Sequence, residues 1–248
     1  MAFLVEIKKK IESVQNTRKI TKAMELVAAS RMRSFQRKAV GTRGYAWNLL
    51  DALAPHYASV RETTWGQTRE GKLPVLFVIM TSDKGLCGSL NQQLLRTLWR
   101  SETWNALPPE ERLLITIGRK STEAAIHAGI QPVKQFEGVR ETLDPLSSLK
   151  LIEKIVGYWT RGECREVIIV SPHYVNPFLF HPTMKRYLPF SQEMAEAHLH
   201  WGNTQEGVAP AALLHSGKAP TSPKEIPSFL EPSPEALVER LVHQLVQS

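Results

Sequence analysis

The chain has only two cysteines, Cys87 and Cys164. They supply no disulfide framework and no metal-ligand spacing, and they fit a reducing compartment. Long apolar runs are missing too. The longest, Leu73 to Met80, has eight residues, far short of the roughly 20 that a membrane-spanning helix needs. The N-terminus lacks the apolar core and cleavage site of a secretory signal. An Arg-rich transit peptide is disfavoured because apolar periodicity begins almost at Met1 and Glu6, Glu12 and Glu25 are present. Neither G-x-G-x-x-G nor a P-loop occurs, so the two best-defined nucleotide fingerprints are absent. Proline is absent between Phe3 and Leu53, so nothing there forbids one continuous helix.

What is present begins with an asymmetry of charge. Residues 1–40 hold ten Lys and Arg against three Glu, or +7, which is the net charge of all 248 residues. Residues 41–248 therefore carry 21 basic and 21 acidic side chains and balance to zero. A hydrophobic content of 42% is enough for a packed core. A neutral body with a basic extension points to a partner for the extension, among nucleic acid, anionic membrane and acidic protein.

The extension is predicted to be one helix over residues 3–54. Leu4, Ile7, Ile11 and Val14 follow the 3–4 spacing of a coiled-coil seam. The stripe breaks at the polar run from Gln15 to Lys19 and resumes, shifted, at Ile20, Met24 and Val27, with Phe35 beyond. Gly41 and Gly44 are expected to kink or loosen the helix, and Pro55 to end it. Such a helix is roughly 75–80 Å long at 1.5 Å per residue. Most of it is expected to project from an ordinary domain and to need a partner stripe, because propensity alone is marginal. The partner within the chain is a second helix from Ser233 or Pro234, with Leu237, Leu241 and Leu245 at i, i+4, i+8. Ser233, Pro234 and Glu235 form a good start signal. At about 15 residues, roughly 22 Å, this helix is expected to cover less than a third of the arm, beside Val40 to Leu53. The stripe from Ile7 to Val27 is left for other chains or for a longer C-terminal helix. Only Phe3 and Phe35 interleave with the basic residues, so a base-stacking platform is lacking and nucleic acid is not an expected partner.

Residues 73–190 change character. Val75–Met80, Leu113–Ile117, Val133–Phe136 and Glu166–Ser171 read as strands, with helical stretches at about 88–104, 120–128 and 146–161 between them. This alternation predicts an α/β fold, Rossmann-like, with a mostly parallel sheet flanked by helices. Thr183 to Leu188 reads as a final antiparallel edge strand, reached by a loop or hairpin past Pro172 and Pro177. The expected organisation is a long helix in 1–58, a body in 73–190, a Pro-rich connector in 191–232 and a second coiled-coil helix in 233–248.

The strongest local motif is Thr81-Ser82-Asp83-Lys84-Gly85-Leu86-Cys87-Gly88-Ser89-Leu90-Asn91, directly after the first strand, where doubly wound folds often bind phosphates. Lys84 precedes the glycines, whereas a P-loop lysine follows them. A tight turn, with Gly85 and Gly88 in conformations closed to other residues, explains the motif without a ligand. Cys87 near a helix start, with His127 or His173 as a base, is a weaker nucleophile pattern than a small buried thiol. His198 and His200 lack a third metal ligand. His181 beside Pro182 reads as structural. Asp83 is the best acidic candidate for chemistry.

These residues also carry a resemblance. Ile7 to Arg33, IKKKIESVQNTRKITKAMELVAASRMR, closely resembles the N-terminal helix of the gamma subunit of F-type ATP synthase. TSDKGLCGSLN resembles the same family's signature after its first strand, with Ser89 where Gly is common. FLEPSPEALVERL, Phe229 to Leu241, resembles the approach to that family's C-terminal helix. The resemblance implies a rotor: an antiparallel coiled coil inside a ring of alpha and beta subunits, above an α/β body that meets epsilon and the membrane ring of c subunits. It implies a subunit with no active site, no cofactor and no metal, coupling proton flow to ATP synthesis on the ring. It implies a place at the cell membrane, peripheral and on the cytoplasmic side, as in a bacterial inner membrane. Carried over by position, Lys22, Met24, Glu25, Arg31 and Arg33 fall where the family's shaft meets an acidic loop on beta. The family's C-terminal helix runs many turns further than the one here, so this chain is expected to lack most of that helix. The stretch 202–228 shows no motif of the family that can be placed, and the paired-cysteine redox loop of chloroplast members is absent. The competing readings are an α/β enzyme binding a phosphorylated ligand at Thr81–Asn91 and a basic helix lying on anionic membrane. The first lacks paired acid and base groups; the second needs a wider, unbroken apolar face.

Overall fold

The fold is taken from a computed structural model. It describes residues 2–53, 56–138, 145–176, 179–191 and 234–247. The contacts divide the chain into two compact units, Met1–Leu49 and Leu50–Gln247.

The first unit is one element. Helix α1 runs unbroken over Ala2–Leu53, with its last turn counted in the second unit. The helix continues through Gly41 and Gly44, so these glycines do not interrupt it. In the polar break the hydroxyls bond back to the preceding turn: Thr17 Oγ1 donates to the Ser13 carbonyl at 3.0 Å and Thr21 Oγ1 to the Thr17 carbonyl at 3.1 Å. These bonds turn two weak helix formers inward onto their own backbone.

The second unit is built on a five-stranded sheet of order β3-β2-β1-β4-β5. Its strands are β1 (Val75–Met80), β2 (Arg112–Ile117), β3 (Lys134–Phe136), β4 (Glu166–Asn176) and β5 (Leu179–Leu188). The first four are parallel, and β5 pairs antiparallel with β4. The helices are α2 (Tyr57–Val60), α3 (Leu90–Trp99), α4 (Glu102–Asn105), α5 (Arg119–His127), α6 (Pro145–Thr160) and α7 (Pro234–Gln247). The mostly parallel α/β sheet is thus as the sequence predicts.

Successive side chains of β1 enter opposite cores, as the two-residue pleat requires. Leu76 and Val78 join Ile115, Val167 and Leu188 on one face, with Trp159 of α6 and Val238 and Val242 of α7. Val75, Phe77 and Ile79 join Leu114, Ile168 and Val170 on the other, with Leu94 and Leu98 of α3 and Ala125 of α5. Trp104 packs edge-on against Phe77 with ring centroids 4.9 Å apart. Each large apolar side chain removed from water here contributes roughly 1.5–3 kcal/mol.

Two local expectations are corrected. The stretch read as one helix over 88–104 is two, because the Ser101 side chain accepts from Trp104 N and starts α4 afresh. β4 does not stop at Ser171 but runs through Pro172 to Asn176, opposite a β5 that contains Pro182. Beyond Val170 β4 has lost β1 and keeps β5 as its neighbour. In such a two-stranded ribbon each proline can turn its missing N–H to the open edge. Among the described side chains of α7, Val238 and Val242 are fully buried, and Leu241 is half-buried against the same core. The Leu237, Leu245 and Ser233 side chains lie outside the described residues, as do His198, His200 and nearly all of the connector.

Candidate functional site

Two places were singled out by the sequence: the loop after β1 and the basic arm. In the loop, the backbone N–H of Ser82 donates to Asn91 Oδ1 at 3.1 Å. Asn91 Nδ2 returns a bond to Ser82 Oγ at 2.8 Å and reaches Cys87 Sγ at 3.2 Å. Ser82 Oγ in turn donates to the Lys84 carbonyl. Asp83 Oδ1 accepts from the Arg119 N–H at 3.0 Å, which places a carboxylate at the positive end of α5. Thr81 Oγ1 accepts from the Ser121 N–H at 2.8 Å. On the neighbouring turn, the hydrogen bond from Lys120 holds the Glu123 carboxyl below the usual carboxylate range.

The Thr81, Ser82, Asp83 and Asn91 side chains are thus spent on bracing the loop itself. Asp83, the acidic candidate, is a helix cap. The hydrogen-bonded neighbours of Cys87 are Asn91 and Ser82, neither of which is a base. Cys164 is buried, and burial pushes its thiol up to about 11. Lys84 is exposed. Among the described residues no three His, Cys, Asp or Glu side chains are placed to hold a metal. One glycine expectation is corrected. Gly88 takes a positive φ of 59°, but its partner is Leu86 at 65°, not Gly85. Gly118, across the loop, is the position where only glycine fits: its φ is 96° and a Cβ would lie 2.2 Å from the Thr81 carbonyl oxygen.

The arm has the opposite character. Leu4, Ile11, Val14, Ile20, Met24 and Val27 are all exposed, from 49% for Met24 to 70% for Leu4. Lys22 and Glu25 pair at 2.9 Å, one helical turn apart and both in solvent. Arg31 and Arg33 are exposed, and the Arg33 carbonyl accepts from Arg37 Nε at 3.5 Å. The five residues carried over by position therefore share one exposed stretch of a single helix. A row of apolar side chains left in water beside exposed cations is a surface for a partner with an apolar stripe and acidic groups.

A family model described as ATP synthase matches residues 4–248. The ATP synthase gamma chain of Symbiobacterium thermophilum is 31% identical over 200 residues, which covers 78% of this chain and 68% of that one. That of Acidithiobacillus ferrooxidans is 32% identical over 200 residues, covering 79% and 69%. The chain belongs to the ATP synthase gamma-chain family. The gamma chain of Heliobacterium modesticaldum aligns with the whole of this chain and 79% of its own length at 26% identity. The fold is similar to a chain of the Tetrahymena thermophila mitochondrial ATP synthase central stalk and c-ring structure, with a TM-score of 0.54 at 21% identity, over 68% of this chain and 72% of that one. In this member the loop is a brace between β1, α3 and α5, and the arm is the exposed surface.

Proposed function

We propose that this gamma-family chain is the central-stalk subunit of a proton-translocating F-type ATP synthase, coupling proton flow through a membrane ring to ATP synthesis on an alpha–beta ring. It does no bond-making chemistry itself. Its partners are alpha, beta, epsilon and the c subunits, and it sits peripherally at the cell membrane on the cytoplasmic side. No described helix is long and apolar enough to cross a membrane, so attachment runs through the complex. Family membership supports the role. The single observation that carries it is the contrast between an arm that presents both its apolar stripe and its cations to solvent and a loop whose Thr81, Ser82, Asp83 and Asn91 side chains are bonded within the sheet unit.

Lys22, Met24, Glu25, Arg31 and Arg33 form the proposed contact with the alpha–beta ring. Cations on a rigid helix suit an acidic loop because the attraction is long-ranged and tolerant of rotation. Each exposed pair is worth only about 0–1 kcal/mol, so the contact depends on number. The test is the association of the full chain with alpha and beta subunits at several salt concentrations. Changing both Arg31→Gln and Arg33→Gln should weaken association, most at low salt where screening is least. Association and salt dependence left unchanged by the double substitution would refute the acidic-loop contact.

A further inference from the structure

We propose that the segment Val60–Arg69 is the joint that fixes the end of α1 and the whole of α7 to the sheet, and that Arg69, Gly66 and Trp159 are its positioning residues for torque transmission. This rests on the central-stalk reading and adds to it the place where load crosses.

The segment has little regular structure, yet it is held from several sides. Its own fold is tight: the Val60 carbonyl accepts both the Thr63 N–H at 3.1 Å and Thr63 Oγ1 at 2.7 Å, and the Thr63 carbonyl accepts from Gly66 N and Gln67 N, each at 3.2 Å. A Cβ on Gly66 would lie 2.2 Å from the Val60 carbonyl oxygen, so only glycine closes this turn. Two consecutive carbonyls then face outward and are taken by different elements. Thr64 O accepts from Trp159 Nε1 of α6 at 2.8 Å. Trp65 O accepts from Phe190 N, just past β5, at 2.8 Å. Arg69 lies over the Trp159 ring at 4.1 Å and donates to the Cys164 carbonyl at 3.1 Å, ahead of β4. Toward α7, Thr64 Oγ1 meets Glu239 at 3.4 Å and the Trp65 ring meets His243 at 5.4 Å. Beneath these ties Leu53, Val60, Trp65, Trp159, Val238 and Val242 share one core, none more than 5% exposed.

Cross-ties of this kind are what a shaft requires. A helix joined to a domain only by its backbone twists about single bonds, and torque applied to it is lost in the linker. Here α6, the residues flanking β4 and β5, and α7 are tied to the same ten residues, and Leu53 in the last turn of α1 lies in the core beneath them, so load on that last turn reaches the sheet through this segment. Hydrogen bonds buried beside a stacked guanidinium are stiff because breaking one exposes an unpaired group. Among the described residues the loop after β1 is tied to α3 and α5 instead.

The test uses the full chain assembled with alpha, beta, epsilon and membrane subunits in lipid vesicles, with ATP hydrolysis and ATP-driven proton uptake followed together. Arg69→Ala and Trp159→Phe should leave hydrolysis unchanged or raised. Proton uptake per ATP should fall about threefold to tenfold under a high opposing gradient, and less under a low one. Arg69→Lys, which keeps a cation over the ring, should recover part of the loss. A merely structural role lowers hydrolysis and uptake together and shows no dependence on load. Uptake per ATP equal to the parent's at every gradient overturns the joint, and so does a parallel loss of both activities. A parent complex that pumps no protons refutes the central-stalk reading itself. Should neither variant assemble, amide exchange of the full chain decides: Arg69→Ala should speed exchange in Pro234–Gln247 about tenfold and leave β1 unchanged. Unaltered exchange in α7 overturns the proposal.

Discussion

The arm and the sheet unit spend the same kinds of residue in opposite ways. In the sheet unit Leu76, Ile115 and Leu94 are fully buried, and even polar Thr116 and Thr122 bond to each other inside the core at 2.9 Å. In the arm Leu4, Ile11 and Val14 lie in water. A helix that keeps its apolar side chains exposed has only propensity and local pairs such as Lys22–Glu25 to hold it, a few tenths of a kcal/mol each. The sheet unit carries its own stability, and the arm stores a surface for association.

That contrast breaks most easily in the core. Trp159→Ala should cost about 3–5 kcal/mol in urea unfolding, since it removes the largest fully buried side chain and its bond to Thr64. Ile11→Ala in the arm should change the same measurement by less than about 0.5 kcal/mol. Equal effects would mean that the arm and the sheet unit unfold as one. Gly118→Ala comes next: a side chain at φ 96° pressed on the Thr81 carbonyl should cost at least about 1–3 kcal/mol by thermal or urea melts. Asp83→Ala should cost about 1 kcal/mol as a lost helix cap, with ATP, ADP and NAD titrations flat before and after. Saturable nucleotide binding abolished by that change would restore the enzyme reading.

The smallest effect concerns pH. Burial raises Cys164 from the usual 9.0 to about 11, so the folded state favours the neutral thiol. A group with a raised pKa stabilises fully below its unfolded value, and that contribution is lost as pH rises through the folded one. The melting temperature should therefore decline between pH 9 and 11, and Cys164→Ala should flatten part of the decline. In the native chain iodoacetamide should modify Cys87, which is partly exposed, well before Cys164. Equal rates would show that the core around Cys164 opens freely.

Much of the fold was legible because its signals are local and strong. β1 is an uninterrupted apolar run, and α1 has no proline and an apolar stripe broken only at Gln15–Lys19. The misses arose where a neighbour decided. Pro172 marks a strand end only if the strand is hemmed in on both sides, and here β4 is not. Leu86 takes the left-handed turn because the Asn91 bonds fix the loop about it, which spacing cannot reveal. The segment from Val60 to Arg69 went unread altogether. Its bonds reach α6, β4, Phe190 and α7 across nearly the whole sequence, and only Gly66 and the pair of Trp65 with Trp159 offered any hint. That the arm asks for a partner was read from charge and stripe together, and which partner only from the family resemblance, since surfaces meant for partners keep their pattern without needing the rest of the chain.

The account's central claim is that the arm is an assembly surface while the sheet unit folds on its own. Amide exchange over residues 3–37, measured in the isolated chain and again in its complex with alpha and beta subunits, tests it most directly. The account predicts fast exchange in the isolated chain, slowing by about tenfold or more in the complex, with β1, β2 and β4 equally protected in both. Strong protection of 3–37 in the isolated chain, or none gained in the complex, would contradict it.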